Sequence, residues 1–212
     1  MKHTRETIIA YVNECRATKT PIDLSGQDLY GLDLQGIDLR WANLQCADLR
    51  GANLQCADLR RADLRGADLR GADLRRAYLQ EANLRWADLR RADLQEANLQ
   101  KANLRRANLQ GANLQYADLQ GANLQYADLQ GANLDYAGYE LSCETIGIKA
   151  DKRLVSQLLY HLCRMDVQYC PEWDELRNDE RVIALANKSH VIDIYGLPEI
   201  EQTNAQEEQS ND

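Results

Sequence analysis

The sequence predicts an all-β solenoid: a four-sided coil of about six turns, with a short N-terminal helix and a small C-terminal α-helical region. Three observations predict it. Leucine occupies every fifth position from Leu24 to Leu134, 23 times in succession. Alanine stands two residues before it at every step from Ala42 onward, and Asp or Asn lies between them except at Tyr78. Glycine recurs at every fourth corner, at Gly31, Gly51, Gly71, Gly111 and Gly131, with Arg91 the one exception in that series.

In an extended chain, residues two apart share a face, so each Ala and the following Leu point the same way. Five is odd, and strict alternation would turn the next pair outward. Two successive outward residues after each leucine restore the phase, and they must form a bend. An α-helix would smear leucines spaced by five around its whole circumference. The glycine series selects four sides and a 20-residue turn, which stacks into a rod of roughly 25–30 Å at the usual strand spacing.

The run Ala42-Asn43-Leu44-Gln45-Cys46 and its successors resembles the pentapeptide repeat family, over roughly residues 22–139. That resemblance implies a right-handed quadrilateral β-helix. The first coil departs from the pattern, with Ile22, Gln27, Leu32 and Ile37 in place of Ala. Some members of the family, including those that confer quinolone resistance, imitate duplex DNA in shape and charge and bind DNA gyrase. The resemblance therefore brings a partner class with it, as an expectation.

The elements follow in order. Residues 1–21 hold a capping helix over 4–17, with Ile8, Ile9 and Val12 facing inward over the open edge of the first coil. Residues 22–141 form the β-helix. Residues 142–198 form a helical appendage: Leu154, Leu158 and Leu162 share one face of a helix over 151–165, and Asp151 stands at its N-cap. Further helix starts lie at Cys170-Pro171-Glu172 and at Asp179. Residues 199–212 read as a disordered acidic tail.

The net charge of -8 is unevenly spread. Residues 40–106 carry +5, whereas 107–148 contain no Lys or Arg and carry -5. No apolar run reaches membrane-spanning length, and Met1-Lys2-His3-Thr4-Arg5 opens no secretory leader, so a cytoplasmic protein without a membrane partner is expected. The six cysteines show no disulfide framework spacing.

Little in the chain suggests catalysis. His161, Cys163 and Cys170, with Cys143 and His190, are the residues a zinc site would use, but His-x-Cys on a helix points its two side chains apart. Nothing activates a thiolate, and no glycine-rich phosphate loop runs from a strand into a helix. Neither an enzyme nor a metal nor another cofactor is expected.

Information lies on the outward face. Sorting by 20 residues puts Arg65, Arg85 and Arg105 in one column, beside Asp63, Asn83 and Asn103: one acid for three bases. Trp86, Arg106 and Tyr126 stand on the adjoining corner, where they could stack as a cation–π ladder. On the next side Asp48, Asp68 and Asp88 run alongside Arg50, Arg70 and Arg90 and can neutralise them. The expected function is a rigid scaffold for a protein partner, acting as a monomer or homodimer through the face of Arg65, Arg85, Arg105, Trp86, Arg106 and Tyr126. Two alternatives stand beside it. One is DNA mimicry toward gyrase or another DNA-binding protein, through the acidic end with Asp118, Asp128, Asp135, Glu140 and Glu144. The other is direct binding of nucleic acid by the arginine face, which lacks any duplex-reading motif.

Overall fold

The computed structural model describes residues 3–138, which belong to the first of two compact units, Met1–Ala150. Its regular part is a coil in which the residue between Ala and Leu pairs with its counterpart 20 residues on. The pairings run from Asp23 with Asn43 to Asp118 with Gly138, and all are parallel. The 20-residue turn inferred from the glycines is therefore the register of the coil. Each side contributes a single bridging residue, because a bend follows only two positions later.

One repeat, Ala62–Gly66, accounts for every backbone donor. The Asp63 N–H donates to Ala42 O on the preceding coil at 2.9 Å, while Leu64 and Gly66 donate forward to Asn83 O and Arg85 O at 2.8 and 3.0 Å. The Ala62 N–H closes a four-residue turn on Leu59 O at 3.0 Å. The fifth donor, Arg65 N–H, goes to Asp63 Oδ1 at 3.2 Å. This is why Asp or Asn so regularly precedes the leucine: its side chain satisfies the one N–H that neither the turn nor the neighbouring coils can reach. Tyr78 has no such acceptor, and no bond of this kind forms at Gln80.

The turn has φ between +55° and +69° at its third residue, the signature of a type II turn. All 23 corners adopt it, and fourteen of them carry a side chain. Backbone conformation therefore does not explain the glycine column, and most of its glycines would find open space around a Cβ. Nothing in the structure explains why glycine gathers in that column.

Leu24 through Leu134 and Ala42 through Ala132 fill the interior, nearly all with no more than a few per cent of their surface exposed. Leu on one position and Ala on the facing one keep the coil narrow, and no aromatic layer interrupts it.

Helix α1 spans Arg5–Thr18. Thr4 is its N-cap in a capping box with Thr7, and Lys19 ends it in the left-handed region at φ 57°. Ile8, Val12 and Cys15 are buried. The expectation of Ile9 in the core is corrected by the spacing: residues 8, 12 and 15 make one stripe, and Ile9, about 100° around the helix, is only half-buried. Side chains of α1 bind backbone groups of the first coil. Arg5 donates to Asp33 O at 2.6 Å and to Gln35 O at 3.2 Å, and Arg16 donates to Arg40 O at 2.6 Å. The Tyr11 hydroxyl donates to Asp23 O at 3.2 Å and accepts from Asp23 N at 3.1 Å. The appendage expected at 142–198 and the tail at 199–212 lie outside the described residues, as do the end of the coil at 139–141 and its junction with them.

Candidate docking face

The residue before each leucine decides what the arginine after it can do. Where the triplet is Asp-Leu-Arg, the two polar side chains emerge from the same face of an extended segment and meet. Arg65 donates from Nε to Asp63 Oδ1 at 2.9 Å and from Nη2 to Oδ2 at 2.7 Å. The same fork joins Asp38 to Arg40, Asp58 to Arg60, Asp68 to Arg70, Asp73 to Arg75 and Asp88 to Arg90. Arg50 and Arg70 also reach toward the carboxylate one coil on, at 3.7 Å from Asp68 and Asp88 respectively.

These pairs leave an electrostatic trace. Side-chain hydrogen bonds from Arg50, Arg70 and Arg75 hold Asp48, Asp68 and Asp73 below the ordinary carboxylate range, against a smaller opposing effect of burial. Asp38, bonded by Arg40 and close to Arg16, is pulled down to about 2. The Asp63 hydrogen bond pushes the Arg65 guanidinium up in turn. Most arginines of the band are thus paired with a carboxylate, and its net +5 is the excess that these pairs leave.

Two triplets differ. Asn83-Leu84-Arg85 and Asn103-Leu104-Arg105 are the only Asn-Leu-Arg triplets in the chain, and they stand one coil apart in one column. The two Asn side chains still accept from the Arg85 and Arg105 backbone N–H, at 3.4 and 3.2 Å, so the fold is unaffected. They offer no negative charge. Neither arginine has an ion pair, and the Nε of each is buried without a hydrogen-bond partner. The Arg85 guanidinium lies over the Trp86 ring at 4.3 Å, and Arg106, also without an ion pair, lies over Tyr126 at 5.7 Å. Both aromatic residues are about half exposed, at 49% and 52%.

The structure therefore divides the six residues singled out above. Arg85, Trp86, Arg105, Arg106 and Tyr126 form a cationic patch with aromatic faces, while Arg65 is satisfied by Asp63. The three-residue ladder resolves into two stacks, because Trp86 takes Arg85 from its own coil and leaves Arg106 to Tyr126. The sequence carried this division as one acid beside three bases, with Asn in place of Asp ahead of Arg85 and Arg105. The acidic alternative fares differently. Asp118 accepts from Gln100 Nε2 at 2.6 Å and Asp128 from Gln110 Nε2 at 2.9 Å. Asp135 is only 4% exposed. Glu140 and Glu144 lie outside the described residues, as do Cys143, His161, Cys163, Cys170 and His190. Among the described residues no three His, Cys, Asp or Glu side chains are grouped to hold a metal ion, and no helix is long and apolar enough to cross a membrane.

Comparison with known proteins agrees with the repeat. A family described as pentapeptide repeats matches in eight copies, over residues 22–45, 33–71, 42–80, 67–106 and 102–137. No curated protein matches. Among solved structures, the chain is similar to a pentapeptide repeat protein of the Arabidopsis thaliana thylakoid lumen, at 31% identity over 64% of this chain and 77% of that one, with a TM-score of 0.36. HetL of the cyanobacterium Nostoc sp. strain PCC 7120, involved in regulating heterocyst differentiation, is 36% identical over 60% of this chain and 71% of its own, with a TM-score of 0.23. Full-length QnrB1, a plasmid-mediated fluoroquinolone resistance protein, is 22% identical over 66% of this chain and 84% of its own, with a TM-score of 0.27. The family matches together run without a gap over residues 22–137, more than half of the sequence. The unbroken leucine period and the 20-residue register of the coil thus have one source: this chain is a member of the pentapeptide repeat family.

Proposed function

We propose that this protein is a non-catalytic scaffold that docks an acidic protein partner on the face of Arg85, Trp86, Arg105, Arg106 and Tyr126. One observation carries the reading: three guanidinium groups without an ion pair gather on one stretch of a surface whose other column arginines are held by their own aspartates. Exposed ion pairs inside a protein are worth little, about 0–1 kcal/mol each. Forgoing an ion pair here therefore loses the fold little, beyond the cost of the buried, unbonded Nε of Arg85 and Arg105, and it preserves charge for a partner. A rigid coil suits this role, since its side chains are already positioned and little ordering accompanies binding.

Imitation of DNA toward gyrase, which the family resemblance raises, calls for an array of free carboxylates. Ion pairs with arginine occupy most of those between residues 22 and 138. Affinity purification from the native cell, run in parallel with Arg85→Gln/Arg105→Gln, separates the readings. A protein partner captured by the parent and lost from the variant is the expected result. Gyrase retained equally by both would move the function to acidic surface elsewhere, and nucleic acid retained by the parent alone would reassign the face.

A further inference from the structure

We infer that the element received by this face is an acidic α-helix lying along the coil axis, with carboxylates one helical turn apart; this rests on the docking face proposed above. The first argument is the direction in which the guanidinium groups remain open. Trp86 covers one side of Arg85 at 4.3 Å, and Nε is buried. What remains is the terminal edge, a fork that suits the two oxygens of a carboxylate.

The second argument is the shortness of the row. One coil back in the same column, Arg65 is already held by Asp63, and on the adjoining side Asp88 holds Arg90. A continuous polyanion would meet these fixed carboxylates on either side of the patch. Two or three anions close together would not.

The third argument is spacing. Adjacent coils stand about 4.8 Å apart, as neighbouring strands do. Side chains one turn apart on a helix have Cβ atoms about 5–6 Å apart, a mismatch that two long side chains absorb. Same-face residues of an extended strand are roughly 6.6–6.8 Å apart and drift out of register at once. On the adjoining corner Trp86 and Tyr126 stand two coils apart, about 10 Å, which a helix covers in some seven residues. Both rings then lie along one flank of the same helix.

The test uses the full-length protein and two labelled, alanine-rich helical peptides of identical composition. One carries its two glutamates at i and i+4, the other at i and i+2. The i,i+4 peptide should bind about fivefold more tightly at low salt, a modest difference because both pairs are exposed. Asn83→Asp/Asn103→Asp should abolish the preference. It supplies each arginine with the carboxylate that already serves Arg65, so thermal melting should be unchanged or slightly improved. Equal binding of both peptides, weakened alike in the variant, would overturn the helix while leaving the docking face standing. A preference that survives in the variant would overturn it as well. Oligo-dT bound in place of either peptide would overturn it in favour of nucleic acid. Self-association of the parent, lost in the variant, would assign the face to a second copy of this chain. No binding by any probe would also overturn the inference, and the native-partner experiment then decides the broader reading alone.

Discussion

Arg65 and Arg85 occupy the same column of the same coil, with the same backbone bonds, one turn apart. Asp63 grips Arg65 through its Nε and Nη2, whereas Asn83 leaves Arg85 to the Trp86 ring. The two sites differ at the corner, where Gly66 becomes Trp86, and before the leucine, where a carboxylate oxygen becomes an amide nitrogen. Both residue types satisfy the orphan N–H two positions on, so the fold accepts either. Only Asp cancels the arginine. The position before each leucine thus sets surface charge independently of stability, and a repeat protein can write a binding face there without disturbing its core.

The largest effect comes from breaking what both sites share. Leu74, 1% exposed at mid-coil, should not tolerate Leu74→Lys, because a buried unpaired ammonium costs several kcal/mol and disrupts the coils on either side. Circular dichroism should show loss of the cooperative melt; an unchanged melting temperature would refute the leucine interior.

Converting the neutralised site into the bare kind sharpens the comparison. Asp63→Asn should free Arg65 and lengthen the open row from two rungs to three. Affinity for the native partner should rise about threefold to tenfold, the range of one added charged contact, with a steeper salt dependence. Unchanged affinity would confine recognition to the corner residues.

Acid should weaken the forked region and spare the Asn-based one. The carboxyl of Asp38 is held at about 2 in the folded chain, below its ordinary value of 3.8. A lowered folded value contributes stability that is full above the unfolded pKa and lost as pH falls from about 4 toward 2. Since Arg16 of α1 also pairs with Asp38 at 3.0 Å, the helix should loosen in the same window. Asp38→Asn should melt earlier than the parent at pH 6, by the equivalent of about 0.2–1 kcal/mol for a half-exposed pair, and coincide with it near pH 2. A gap that persists in acid would show that the carboxylate charge is not its source.

The smallest effect is expected at the one repeat that lacks an acceptor. Tyr78→Asn should give the Gln80 N–H its partner and raise stability by about 0.5–1 kcal/mol. It would lose only the long contact of Arg60 with the Tyr78 ring at 6.0 Å. A lower melting temperature would mean that ring contributes more than the missing hydrogen bond.

The solenoid, its 20-residue turn, its Leu and Ala interior and the presence of the N-terminal helix were all legible in the sequence. Each follows from local periodicity, because in a coil every repeat meets only its own successors, and sequence spacing becomes spatial spacing. The inward stripe of α1 was legible only in part: Cys15 is buried and Ile9 is not, a choice made by the surface of the first coil beneath it. The glycine column pointed to the correct register although backbone conformation does not account for it. What only the tertiary structure decided was which charges remain open. Composition counts Arg65, Arg85 and Arg105 alike, but a guanidinium is neutralised only if a carboxylate lies within hydrogen-bonding reach, and that depends on distances of about 3 Å between side chains emerging from the folded surface.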